Sequence, residues 1–321
     1  MFADPFNKAA RFGVLAFLST LALAPGLSCT AQVQLPTVNL GETSFEDGLA
    51  GPGVLIENYS TSDVATELKD ASGNSVAGSN RVTAISTATH LAGFSQRQFL
   101  GALIGGDLLI PMVDIHAKLV NGIDTTQRGF GDIAVSPLAL EWAPKRIGKG
   151  LFMQRAMLNI GVPTGKYSNL RSVNIGNHAV SINPYYAFTY EPSGKLELSA
   201  RMYYLWNSAN KDPYIGLGIR EMQAGQAFHM NYATSYEIHK HVRLGFNGYW
   251  LQQLTDHRIN DRDVANSKER TLGIGPGIQI GGQGVWFRVN SYMETGVRNR
   301  MSGTTVVFRL SKVLGARLPK S

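Results

Sequence analysis

Asp114, His116 and Lys118 are the sequence's best approach to an acid–base cluster. On a strand they fall on one face, roughly 6–7 Å apart from one to the next. That spacing suits a proton relay, and it equally suits the wet wall of a lumen, which is the reading favoured here. Gly161-Val-Pro-Thr-Gly-Lys166-Tyr167 has the look of a phosphate loop. It lacks the four-residue gap between glycines and the Ser/Thr after the lysine, and no helix follows, so it reads as a strand-to-loop turn. His239 and His241 flank a tight turn without a third ligand, so no metal is expected. No Gly-x-Ser-x-Gly elbow occurs. The single cysteine, Cys29, sits in an N-terminal leader, which leaves no thiol nucleophile for the remainder. These residues predict no enzyme and no cofactor.

The leader has Lys8 and Arg11 ahead of an apolar core, Gly13 to Leu23, a break at Pro25-Gly26 and small residues before Gln32. That is the pattern of an export signal, and cleavage is expected after Ala31. The alternative is a lipoprotein with Cys29 as the lipidated residue, although Leu27 stands one place nearer to it than usual. The net charge is +7, and losing Lys8, Arg11 and Asp4 with the leader lowers it to +6. Lys312, Arg317 and Lys320 hold +3 of this in a basic tail, 312–321. The small remaining excess gives no footing for nucleic acid.

The positions that hold polar residues are set by long alternating segments. In the stretch from Arg155 to Asn207, Phe152, Ala156, Leu158, Ile160 and Val162 share one face, opposite Arg155 and Asn159. Val180 to Tyr190 and Leu196 to Asn207 alternate in the same way, with aromatics at the ends. Period two over ten or more residues means β-strand. Strands of this length with aromatic ends are the mark of a membrane-spanning barrel, whose outside is apolar and whose lumen is polar. A large soluble sandwich with one wet face is the competing reading. Charged residues make up 17% of the chain, below the quarter or so typical of soluble domains. No mature segment has the run of apolar residues that a helical span needs.

Strands are expected at 131–142, 150–162, 177–190, 195–207, 226–238, 241–253, 270–281, 284–295 and 303–311. Arg81–Gly93 and a segment after Leu109 add two. Either Gly53–Leu68 or Arg97–Ile104 supplies another, with Gly105-Gly106 dividing that region. The connectors alternate: long at 121–130, 163–176, 208–225, 255–268 and 296–302, short at 143–148, 191–194, 239–240 and 282–283. Short turns on one side and long loops on the other belong to outer-membrane barrels, and a sandwich has no reason to keep that parity. The expected fold is therefore all-β: an antiparallel transmembrane β-barrel of the bacterial outer membrane, about 12 strands within a range of 10–14. The barrel would span 53–311, preceded by a polar arm at 32–52 that hangs in the periplasm or enters the lumen. Pro111, Pro137, Pro184 and Pro276 fall inside these strands and must lie at ends or bulges.

The polar faces give lumen candidates: Asp114, His116, Lys118, Glu141, Arg155, Asn159, Glu197, Arg201, Arg243, Asn247, Arg288, Asn290, Glu294 and Arg309, with Tyr185, Tyr203, Tyr249 and Tyr292 as ring surfaces for aromatic ligands. On strand 241–253, Leu244, Phe246 and Trp250 should touch lipid while Arg243, Asn247 and Tyr249 face inward.

A set of short motifs in fixed order gives a resemblance. They are Gly51-Pro52-Gly53 before a strand ending Asn58-Tyr59, Gly129-Phe130-Gly131-Asp132 before one ending Leu140-Glu141-Trp142, Pro163-Thr164-Gly165-Lys166-Tyr167, Asn174-Ile175-Gly176-Asn177 and Asn183-Pro184. Phe228-His229-Met230-Asn231-Tyr232, Gly248 to Asp256 and Gly273-Ile274-Gly275-Pro276 follow. Over nearly the whole mature chain the sequence resembles the outer-membrane proteins associated with the meta-cleavage pathway of phenol degradation. The run Tyr214-Ile215-Gly216-Leu217-Gly218 departs from the family pattern. So does the tail beyond the last strand, where such barrels often stop at an aromatic. The resemblance implies a passive outer-membrane channel for small hydrophobic or aromatic compounds. Its partners would be outer-membrane lipid, lipopolysaccharide, the solute and the assembly machinery, which would read Phe308 or Leu310. The alternative is a structural or adhesive barrel with a sealed lumen and partner-binding loops.

Overall fold

The structure is a computed structural model, which describes residues 34–48, 51–120 and 122–315. The expected leader, with Cys29 and the Ala31 cleavage point, lies outside these residues, as do Arg317 and Lys320. Twelve antiparallel strands close into a barrel. They are β1 (Gly53–Leu68), β2 (Arg81–Phe99), β3 (Ala102–Lys118), β4 (Ile133–Ile147), β5 (Gly150–Val162), β6 (Ser181–Ile182 and Tyr185–Glu191), β7 (Leu196–Asn207), β8 (Ala227–His239), β9 (Val242–Gln253), β10 (Arg270–Gly282), β11 (Val285–Arg298) and β12 (Met301–Leu314). Each pairs with its sequence neighbours, and β1 pairs β12 from Val54↔Leu314 to Leu68↔Met301. Closure leaves no free sheet edge, which is the condition for strands in a lipid core.

Alternation carries the sequence into this shape. On β7, Glu197, Ser199, Arg201, Tyr203, Leu205 and Asn207 are buried inside, while Leu196, Leu198 and Tyr204 are exposed. Around the outside, Leu91, Leu244, Phe246, Ile274, Phe287, Met293 and Phe308 form an exposed apolar belt. In water such a belt is a liability, and in lipid it meets its own kind.

One end of the barrel carries tight turns: Leu100-Gly101, Gly148-Lys149, Pro192–Lys195, Lys240-His241 and Gln283-Gly284. Positive φ at Leu100 (52°), His241 (67°) and Gln283 (54°) lets the strands reverse there. The other end carries long loops, with one exception. The last connection, expected as 296–302, is only Asn299-Arg300, with Asn299 at φ 53°. The side-to-side parity survives and the length does not, because β11 and β12 run further than their apolar stretches.

Other boundaries shift too. Gly53–Leu68 is a barrel strand, and Arg97–Ile104 is the β2–β3 hairpin, turning at Leu100-Gly101. Gly105 and Gly106 lie inside β3, at a bulge against β4. The expected loop 121–130 contains a strand, Asp124–Phe130, that pairs the far end of β3 beyond the closed wall. Lys312 belongs to β12, not to a free tail. Each awkward proline faces a break in a ladder. Pro184 interrupts β6, Pro137 sits at the β4–β5 register shift, and Pro111 lies where the partner of β3 changes. Pro276 falls in the unpaired step between Ile274↔Met293 and Gly277↔Asn290. A residue without an N–H is tolerated where no ladder bond is asked of it.

Candidate functional site

The arm Gln34–Gly48 has no regular structure and threads the lumen from the loop end to the turn end. At the loop end the Leu35 N–H donates to Glu269 Oε1 at 2.7 Å. Midway, the Gly41 N–H donates to Asn231 Oδ1 at 2.9 Å, and the Tyr292 hydroxyl donates to the Gly41 carbonyl at 2.7 Å. Asn231 Nδ2 reaches Thr43 Oγ1 at 2.7 Å, and Asn290 Nδ2 reaches Ser44 Oγ at 3.1 Å. At the turn end the N–H of Glu46 donates to Glu197 Oε1 (2.7 Å) and that of Gly48 to Thr189 Oγ1 (2.8 Å). Phe45 is 1% exposed. A segment without a ladder partner must still satisfy its buried backbone, and here wall side chains do so. Gly41 has φ +83°, and a Cβ on it would lie 2.6 Å from the Tyr292 ring, so the arm needs glycine there.

Two acids of the arm lock it to the floor. The Asp47 carboxylate meets the Arg201 guanidinium, while Arg155 donates to the Asp47 carbonyl at 2.9 Å and stands 4.0 Å from its carboxylate. The Tyr185 ring lies 4.4 Å from the Arg201 guanidinium, a cation–π contact. Glu46 pairs with Arg243 at 3.2 Å and accepts from Gln279 at 2.6 Å. A second network belongs to the wall alone. Glu57 accepts from Arg309 (2.9 and 2.5 Å), Ser311 (2.7 Å) and Tyr59 (2.8 Å), and His90 bridges Glu57 (2.8 Å) to Asp107 (3.0 Å). Together these groups close the turn half of the barrel.

Above them lies a chamber of about 1940 Å³. The arm contributes Val38 and Leu40, and the wall and loops contribute Val64, Ile115, Ile175 and Leu251. Tyr249 stands at its base, packed on Tyr292 with ring centroids 5.2 Å apart.

Glu141, Arg155, Tyr185, Glu197, Arg201, Tyr203, Arg243, Asn247, Tyr249, Arg288, Asn290, Tyr292 and Arg309 are buried on the inner face. Glu294 faces inward, accepting from Tyr249 at 3.0 Å, and Asn159 lies on the inner face of β5. Asp114, His116 and Lys118 do not line the lumen. Inward His90 stands opposite Leu109, which turns the odd-numbered residues of β3 inward and these three outward. They pair with the neighbouring Asp124–Phe130 strand: Asp114 with Arg128 (2.6 Å), His116 with Thr126 (2.9 Å) and Lys118 with Asp124 (3.6 Å). A strand extension that rises past the lipid has no apolar outside, and alternation alone cannot reveal that. Sequence reasoning also missed Glu46, Asp47, Glu57, His90 and Asp107. Glu57 and His90 sit on the inner parity of their strands and were open to the same alternation argument. Nothing periodic marks Glu46 or Asp47.

Residues 65–310 match the family described as "Putative MetA-pathway of phenol degradation". The chain belongs to this family. Its fold overlays an outer membrane channel from Pseudomonas putida F1 with a TM-score of 0.73 at 13% identity, over 87% of this chain and 100% of that one. It overlays the transport unit of the autotransporter AIDA-I from Escherichia coli at 0.49, with 10% identity over 87% and 93% of the two chains. A FadL homologue from Pseudomonas aeruginosa follows at 0.36, with 9% identity over 88% and 99%. The first likeness speaks for the fold alone, and the other two are too loose to bear on function. Among curated proteins, nothing matches. Family and fold together make this a β-barrel of the bacterial outer membrane.

Proposed function

We propose that the protein is a channel that admits small apolar or aromatic molecules through the outer membrane without energy input. The observation that carries this reading is the chamber of about 1940 Å³, whose wall mixes aliphatic side chains with about as many polar ones and which the arm closes beneath. Outer-membrane barrels turn their long loops outward, so the loop end, and with it the chamber, would face the cell exterior. A hydrophobic solute crosses the sugar layer of the outer leaflet slowly, so the aliphatic patches of a chamber reached from outside give it a resting place. Burial against Val38, Leu40 and Leu251 would hold it there at roughly 25 cal/mol per Å² of apolar surface removed from water. Tyr249, the aromatic ring at the chamber base, would add a preference for aromatics once the arm moves off it. Passage then requires the arm to move, since Asp47 and Glu46 hold it across the floor.

A second reading, a structural barrel with a sealed lumen, draws support from the same interlocked ion pairs. Uptake of labelled phenol, toluene and oleate into a deletion strain, with and without the complementing protein, separates the two. The channel reading expects restored uptake, raised further when residues 34–48 are deleted. Unchanged uptake of all three, with no conductance from the purified barrel in either form, overturns it in favour of the sealed barrel.

A further inference from the structure

Arg270 opens β10 and Arg298 ends β11, both at the loop end, and the register sets them directly opposite one another. Both are exposed and turned away from the lumen, since their neighbours Thr271 and Val297 are the buried ones. Towards the turn end, the same outer face continues as Leu272, Ile274 and Met293. Ile274 is 49% exposed and Met293 70%, which marks the edge of the apolar belt. The arginine pair therefore stands where lipid headgroups begin.

Like charges directly opposite in a sheet repel. The nearby carboxylates do not relieve them. Glu67 is held by Lys69 at 2.5 Å and by Ser75 at 3.1 Å. Asp70 caps the N–H groups of Ser72 and Asn74 at 2.9 and 2.8 Å. Glu294 accepts from Tyr249, Thr271 and the Gly303 N–H on the inner side. Glu269 takes Arg300. Among the described residues no carboxylate lies within ion-pair distance of either guanidinium. Beside the pair, the β11–β12 ladder ends at Met293↔Thr304. Above that point lies a groove of about 490 Å³ that takes in Arg270 and Arg298, with Thr295, Ser302 and Thr304 at its edge and Glu67 and Glu294 there as well, each already held by the partners just named.

We propose that this groove binds a phosphate of the phosphorylated glucosamine lipid of the outer leaflet. Two guanidinium forks supply paired N–H donors to phosphate oxygens and their mutual repulsion is neutralised. The hydroxyls of Thr295, Ser302 and Thr304 add further donors, while the Lys69 ammonium stays with Glu67. The acyl chains then run down over Leu272, Ile274 and Met293. The site lies on the outside of the wall and does not depend on what crosses the lumen.

The test uses the full-length protein in detergent, with binding read by native mass spectrometry. The probes are diphosphoryl lipid A, the same lipid without phosphates, and inorganic phosphate. The variants are R270Q/R298Q and, as a charge-matched control at the turn end, K145Q/R146Q. Diphosphoryl lipid A should bind R270Q/R298Q at least about tenfold more weakly than wild type, since two charge-assisted contacts are lost. K145Q/R146Q should bind like wild type, and the dephosphorylated lipid should not distinguish the proteins. R270K/R298K should retain intermediate affinity, which also serves if the glutamine variant fails to fold. Equal binding by wild type and R270Q/R298Q, or equal loss in the control, overturns the proposal. Displacement of the lipid by millimolar inorganic phosphate overturns the lipid as source and leaves a free-anion site.

Discussion

Asp47→Ala removes the acid that two wall arginines share. Asp47 is 5% exposed, and Arg155 and Arg201 are 8% exposed each. If the arm stayed in place, the Arg201 guanidinium would keep its burial and lose its counter-charge, at about 3–5 kcal/mol, while Arg155 would keep Glu141 opposite it in the ladder. The barrel does not have to bear that. The arm contributes no strand to the ladder, so it can lift away and let water reach Arg155 and Arg201. The effect then appears as a shift in docking: about 3 kcal/mol raises the ratio of released to docked arm by roughly two decades. Single-channel recording in planar bilayers reads this directly, as longer or more frequent open events in D47A. Thermal unfolding of the barrel should barely move. D47A/R201A should regain part of the closure, because the stranded cation is gone. Wild-type conductance in D47A combined with a lowered melting temperature would refute the reasoning, since Asp47 would then hold the wall rather than the gate.

Three further outcomes follow from the same geometry. Phe246, 64% exposed on the lipid face of β9, should not tolerate arginine. Phe246→Arg should lower stability in lipid by about 2–4 kcal/mol if it lies near the midplane, against less than about 0.5 kcal/mol for His116→Arg above the belt, measured by folding titration into vesicles. An epitope inserted at Asn260, in the turn between the short strands Arg258–Ile259 and Arg262–Asp263, should bind antibody on intact cells, and labelling only after permeabilisation would invert the topology. The carboxyl of Glu42, in the arm, is pushed up to about 7 by burial first and by the Asp63 carboxylate second, with Arg309, His90 and Arg201 pulling the other way. The docked arm thus keeps a proton that the released arm gives up near the ordinary 4.5, so docking is strongest below that value and weakens as pH rises through about 7. Conductance should increase from about pH 5 to about pH 8 in wild type and stay flat in Glu42→Gln.

What could be read from sequence, and what could not, divides along one physical line. A strand in a closed wall must show one face to lipid and one to the lumen, so Arg243, Asn247 and Tyr249 against Leu244, Phe246 and Trp250 are encoded at period two, and the structure has the same division. The rule needs lipid outside. Where β3 rises beyond the belt, Asp114, His116 and Lys118 are polar because they face water, and parity read from polarity alone turns them the wrong way. Bulges do similar damage, since the extra residue at Pro137 moves the count by one against both neighbouring strands without changing composition. The arm is the extreme case. Glu46 and Asp47 sit in a segment with no period at all, and their meaning lies entirely in Arg243, Arg201 and Arg155, far along the chain on three other strands. Those arginines were legible as inward charges, yet nothing in their own strands said which acid they served. A wall can be specified locally, residue by residue, because lipid is the same everywhere around it. A plug is specified only by its fit to that wall, so its sequence is free of pattern and full of partners. That difference also explains why the arm is the element best suited to move: its bonds run to side chains, not to a ladder, and no strand has to unpair when it leaves.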